Sequence, residues 1–113
     1  MLLVEDDALI RMSTAEMLMD LGHDVLEAED AEAVPALLEG GRFDVMLTDL
    51  SLPGMSGDAL AAQVLAQYPG LGIIFASGYD RLPNRDAALK DAMLLQKPYD
   101  EGALADALKA VAE

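Results

Sequence analysis

The chain contains no cysteine, so disulfides and thiolate metal sites are excluded. It also lacks any apolar run approaching the ~20 residues that span a bilayer. The N-terminus does not show the charged-then-apolar pattern of a signal peptide, and cytoplasm is the expected compartment. Internal repeats, low-complexity tracts and linkers are missing too. Basic residues are scarce: 7 Lys+Arg stand against 21 Asp+Glu, a formal net charge of -14. Such a surface repels the phosphate backbone, so direct nucleic-acid binding is not expected. Partners should be proteins with basic docking faces.

What is present is apolar material. At 53% hydrophobic, 113 residues suffice for a single core and are far from a disordered acidic tail. Short apolar runs alternate with helical patterns, which implies βαβ units and a mostly parallel sheet. Strands are predicted at 2–4, 24–28, 43–48, 71–76 and 93–96. Asp7 caps a helix over 8–21, stopped by Gly22, with Ile10, Thr14, Met17, Leu18 and Leu21 on its inner face. Asp30 caps a second helix to about 38. Pro35 falls beyond its first turn, where it removes one hydrogen bond, so a kinked or short helix is expected. A third helix runs over 57–68, ended by Pro69-Gly70. Residues 85–91 leave room for a short fourth. Asp100 caps the last, to about 111, with Leu104, Ala107, Leu108 and Val111 inward. The expected fold class is α/β, a doubly wound five-stranded parallel sheet with five helices.

Three of these strands deliver charge at their C-terminal ends. Met1-Leu2-Leu3-Val4 is followed by Glu5-Asp6, the run from Phe43 to Thr48 by Asp49, and Met93-Leu94-Leu95-Gln96 by Lys97-Pro98. In a parallel sheet such ends lie side by side, where open α/β sheets place their sites. Three carboxylates and one ammonium in a crevice read as a Mg²⁺ and phosphoryl site. Mg²⁺ takes oxygen ligands and keeps several waters, so a few carboxylates suffice. Close carboxylates repel one another, and the ion and Lys97 offset that repulsion. Phosphoryl transfer asks mainly for positioning and charge stabilisation at the oxygens. An aspartate nucleophile becomes an acyl phosphate.

The pieces Val4-Glu5-Asp6, Thr48-Asp49, Leu52-Pro53-Gly54-Met55-Ser56-Gly57, Ser77-Gly78 and Lys97-Pro98 occur in this order. Together they resemble the receiver domain of two-component response regulators, over essentially the whole of residues 1–113. The resemblance implies a flavodoxin-like architecture and a phosphoacceptor, Asp49. It implies Asp6 as a direct Mg²⁺ ligand, Glu5 acting on the ion mostly through water, and the backbone carbonyl of Ser51 completing the protein ligands. Ser77 would bond the phosphoryl group, and Lys97 would pair with Asp49 and then with the phosphoryl oxygens. The peptide before Pro98 is cis in the family. The implied donor is a sensor histidine kinase or a histidine phosphotransfer protein, and the implied output is contact with a downstream protein. By the same analogy, kinase specificity would involve an exposed face of the first helix around Arg11, Ala15 and Leu18. His23, at a helix–strand turn, reads as simply exposed, and the methionines as core filler.

The chain departs from the family pattern at Leu94, where many receivers carry a Tyr or Phe that turns inward on phosphorylation. Tyr79 and Tyr99 are the aromatics left near the site, and Tyr79 is the expected reporter or shield of an acyl phosphate. No output domain is expected within the chain, which reads as a stand-alone receiver or one excised from a hybrid histidine kinase. Two other functions compete. One is a receiver-like module that binds partners without phosphorylation. The other is an aspartyl-nucleophile phosphohydrolase, which usually needs a second acid two residues after the first, where this chain has Ser51.

Overall fold

Alternation along the strands decides the layers. The computed structural model describes residues 1–52, 54–78 and 92–112. It contains a five-stranded sheet built from β1 (Leu2–Val4), β2 (Leu26–Ala28), β3 (Val45–Asp49), β4 (Gly72–Ser77) and β5 (Met93–Gln96), all pairs parallel, in the order β2-β1-β3-β4-β5. Successive side chains point to opposite faces of a strand. Leu2, Val4, Met46, Ile73 and Phe75 therefore join one core layer, and Leu3, Leu47, Ile74, Ala76 and Leu95 join the other.

Helices cover both faces, as a parallel sheet requires. Among the described residues these are α1 (Ala8–Asp20), α2 (Val34–Gly40), α3 (Gly57–Gln67) and α4 (Glu101–Ala112). Val34, Leu38, Leu60, Ala61 and Val64 place α2 and α3 on the first layer. Ala15, Leu18, Leu104, Ala107 and Leu108 place α1 and α4 on the second. The predicted doubly wound fold is the observed one. The expected short helix at 85–91 lies outside the described residues.

The helix ends follow their local chemistry. Asp7 Oδ1 accepts from the N–H groups of Leu9 and Ile10 at 2.9 and 3.1 Å and caps α1. At the other end Gly22 takes a φ of 93°. Its N–H reaches the Met19 carbonyl and that of His23 reaches Leu18, both at 3.0 Å, so the positive φ closes the last turn. Asp100 Oδ1 accepts from Ala103 N–H at 2.8 Å and starts α4.

Three expectations need correction. Pro35 is in the first turn of α2, not beyond it, because a 3₁₀ turn at Ala31–Ala33, capped by Asp30, takes up the preceding residues. First-turn N–H groups have no partner within the helix, so the proline removes no bond there. The second strand begins at Leu26 rather than 24, and the third at Val45 rather than 43, where pairing with β1 and β4 begins. On α1, Ala15 and Leu18 are 3% and 0% exposed and belong to the core. They cannot form a docking face. The exposed residues of that helix are Ala8, Leu9, Met12, Ser13, Glu16, Met19 and Asp20.

Candidate functional site

The site lies where the chain crosses over between β1 and β3, at the C-terminal edge of the sheet, the place an open α/β topology offers for ligands. Glu5, Asp49 and Lys97 continue the alternation of Leu3, Leu47 and Leu95, which is the layer under α1 and α4. Three strands thus send their terminal side chains to one spot. Glu5 is 3% exposed, with its N–H held by the Ala28 carbonyl at 3.0 Å. Asp6, the next residue, is exposed at the rim. A carboxylate oxygen from each of Glu5, Asp6 and Asp49 falls within 4.8 Å of the others.

Lys97 bridges this cluster. Its Nζ donates to Asp49 Oδ2 and to Glu5 Oε1, both at 3.1 Å. The sequence led to the first contact but not to the second. The backbone of Lys97 is pinned as well, since its N–H donates to the Ser77 carbonyl at 2.6 Å. The Lys97–Pro98 peptide is cis. Ser77 is buried at the end of β4, with the same strand parity as Ile73 and Phe75. Ser51 is brought to Asp49, its N–H donating to Asp49 Oδ1 at 3.2 Å. The Glu5, Asp6, Asp49, Ser51, Ser77 and Lys97 positions picked from the sequence therefore all gather at one edge of the sheet.

Burial and charge act on these groups together. Burial, the largest influence, pushes the Glu5 carboxyl above its ordinary value. The Asp7 N–H, 3.2 Å from Glu5 Oε2, and the Lys97 ammonium work against that rise, while Asp6 and Asp49 add to it. For Lys97, burial favours the neutral amine, but the hydrogen bonds and charges of Asp49 and Glu5 outweigh it and hold the ammonium above its ordinary range. Lys97 thus favours the charged form of Glu5, against the burial and neighbouring carboxylates that disfavour it.

Three further residues shape the site. A Cβ on Gly57 would overlap the carbonyl oxygen of Asp49, so the start of α3 comes this close only because residue 57 is glycine. Arg11 donates from Nη1 to the Glu5 carbonyl at 2.8 Å and tethers α1 to the end of β1. Thr14 and Tyr99 meet hydroxyl to hydroxyl at 2.7 Å. No local pattern signals the last two contacts, because each joins separate elements. Leu94 is half-buried against the layer under α2 and α3. Tyr79 lies outside the described residues.

The sequence model of the response regulator receiver domain matches residues 1–109. The chain belongs to the response regulator receiver family. It is 32% identical over 101 residues to the response regulator receiver protein CpdR of Brucella abortus, covering 87% of this chain and 83% of CpdR. It is 31% identical over 107 residues to the response regulator protein FleR of Pseudomonas aeruginosa, covering 93% of this chain and 23% of FleR. The receiver thus corresponds to nearly all of one relative and about a quarter of the other. The structure of the chemotaxis protein CheY4 of Vibrio cholerae superposes with a TM-score of 0.87 at 29% identity, covering 97% of this chain and 95% of that one. As a receiver, the chain is a signalling domain of two-component systems, and its acidic cluster fits the metal site such domains use.

Proposed function

We propose that this receiver accepts a phosphoryl group on Asp49 from a phosphohistidine donor, with Mg²⁺, and signals through protein contacts. The observation that carries the reading is the Lys97 bridge, 3.1 Å to Asp49 and 3.1 Å to Glu5, beside a third carboxylate at Asp6. An Asp49 carboxylate oxygen attacks phosphorus, the donor's P–N bond breaks, and imidazole leaves as an acyl phosphate forms. The donor set consists of hard oxygens at the edge of a crevice, which fits a small dication that keeps several waters. Glu5, Asp6, Asp49 and the Ser51 carbonyl would hold that ion. When bound, Mg²⁺ supplies positive charge that neutralises the charge developing on the phosphoryl oxygens.

This chain's own residues do the rest. Ser51 N–H and Lys97 orient the Asp49 carboxylate before transfer. Lys97 then follows the new charge onto a phosphoryl oxygen, and Ser77 takes another. The acyl phosphate adds roughly two negative charges at one sheet edge, which Ser77 and Lys97 follow. The donor is a histidine kinase or histidine phosphotransfer protein. It meets α1 through Leu9, Met12, Ser13 and Glu16. Charge complementarity favours a basic partner face. No helix among the described residues is long and apolar enough to cross a membrane, and the cytoplasm is the proposed location. The domain assists its own phosphorylation and dephosphorylation and turns over no separate substrate.

Intact-mass spectrometry after incubation with acetyl phosphate tests this reading. A single phosphoryl adduct that requires both Mg²⁺ and Asp49 is the expected result. An unmodified mass with acetyl phosphate and with phosphohistidine donors alike would turn the reading to a module that binds partners without phosphorylation.

A further inference from the structure

Lys97 is separated from α4 by only Pro98, Tyr99 and the capping residue Asp100. This short link is fixed at one end by the bond from Lys97 N–H to the Ser77 carbonyl. In its middle, the Tyr99 hydroxyl lies 2.7 Å from Thr14 Oγ1, across 85 residues of chain. Thr14 is 1% exposed. Its helix is also tied, one turn earlier, to the backbone of Glu5 through Arg11 Nη1 at 2.8 Å. Helix α1 therefore holds both the segment that carries Lys97 and the residue that accepts one of its hydrogen bonds. Contacts run in a closed ring from Lys97 Nζ to Glu5, to Arg11, along α1 to Thr14, to Tyr99 and back through Pro98 to Lys97.

We propose that Thr14 and Tyr99 form a positioning pair that sets where the Lys97 ammonium sits for phosphoryl transfer. The inference rests on the receiver reading above and concerns how Lys97 is held. Thr14 does not need Tyr99 for satisfaction, because a helical threonine can bond the carbonyl one turn back in its own helix. The contact is thus a tie between elements rather than a requirement of burial. Burial also holds the Tyr99 phenol above its ordinary value, so it remains protonated and able to donate at neutral pH. Without the tie, the ring still packs, but the link from 97 to 100 gains freedom to shift. Lys97 then divides its time between positions near Asp49 and positions away from it.

The test uses the full chain in four forms: wild type, Tyr99→Phe, Thr14→Val and the double variant. The rate of Asp49 phosphorylation is measured against acetyl phosphate concentration at saturating Mg²⁺. The maximal rate should fall about three- to tenfold in either single variant, the span a single hydrogen bond covers, with half-saturation unchanged. The double variant should be no slower than the singles, since both remove one interaction. Thr14→Ser, which keeps a hydroxyl, should restore the rate. A second readout needs no phosphorylation: ¹³C relaxation at Lys97 Cε should report greater motion in Tyr99→Phe and Thr14→Val but not in Thr14→Ser. If wild type takes no phosphoryl group from acetyl phosphate or from a phosphohistidine donor, the phosphoacceptor reading fails, while Lys97 relaxation still decides the positioning. Unchanged Lys97 motion, or losses that add in the double variant, would overturn the proposal and leave the pair a stabilising contact only.

Discussion

Glu5 and Lys97, 92 residues apart, meet at 3.1 Å, and this contact ties the acidic cluster to the strand that carries the lysine. Two carboxylates share one ammonium.

The raised Glu5 carboxyl predicts a pH dependence. Its folded-state value lies above the ordinary 4.5, so the folded protein holds a proton there more tightly than the unfolded chain does. That contribution to stability is fully present below about 4.5 and is lost as pH rises through the higher folded value. Glu5→Gln should therefore be more stable than wild type at pH 7 without Mg²⁺, and the gap should close toward pH 4. Urea unfolding at several pH values measures this. A gap that widens on acidification would refute the assignment.

Mg²⁺ should raise the melting temperature by binding only the folded site. At a free concentration one hundred times the dissociation constant, mass action yields about 2.7 kcal/mol. Asp6→Asn should reduce the effect most cleanly, because exposed Asp6 takes no part in the Lys97 bridge. Thermal melts across a Mg²⁺ series, with Ca²⁺ as a size control, provide the readout. A flat series would show that the carboxylates do not bind the metal.

Asp49→Asn should abolish the phosphoryl adduct in intact-mass spectra. It should also lower the Glu5 carboxyl toward its ordinary value, since the Asp49 charge is one of the influences raising it. Carbon-detected NMR titration of the Glu5 carboxyl, in the absence of Mg²⁺, checks the second outcome separately from the first.

Gly57→Ala should damage both stability and chemistry. The new Cβ overlaps backbone at Asp49 rather than a flexible side chain, so the loop after β3 must move. Overpacking of this kind costs about 1–3 kcal/mol. The phosphorylation rate should fall as Ser51 N–H loses its aim at Asp49 Oδ1. Gly54→Ala is the contrast. There a Cβ meets no neighbour and strain comes only from a φ of 78°, so the Asp49 backbone should keep its place.

The sequence by itself determined the layers and the charges at the strand ends. Period-two alternation and helix caps are local, and a carboxylate that closes an apolar strand is visible wherever the strand falls. Glu5, Asp6, Asp49 and Lys97 were legible for that reason, while Ser77 came from the resemblance to receivers; parallel pairing alone brings such ends together. Local signals failed where a neighbour decided the outcome. Pro35 was placed a turn too deep because the 3₁₀ turn before α2 leaves no clear mark in the sequence. The periodicity of the first helix had placed Leu18 inward, but the family analogy put Ala15 and Leu18 on a docking face, although both pack in the layer with Leu3 and Leu47. The Glu5–Lys97 bridge, the Arg11 tether and the Thr14–Tyr99 bond belong wholly to the tertiary structure. Each joins residues on different elements, and their distance and angle follow from how helices settle on a twisted sheet, a geometry that no spacing along the chain encodes.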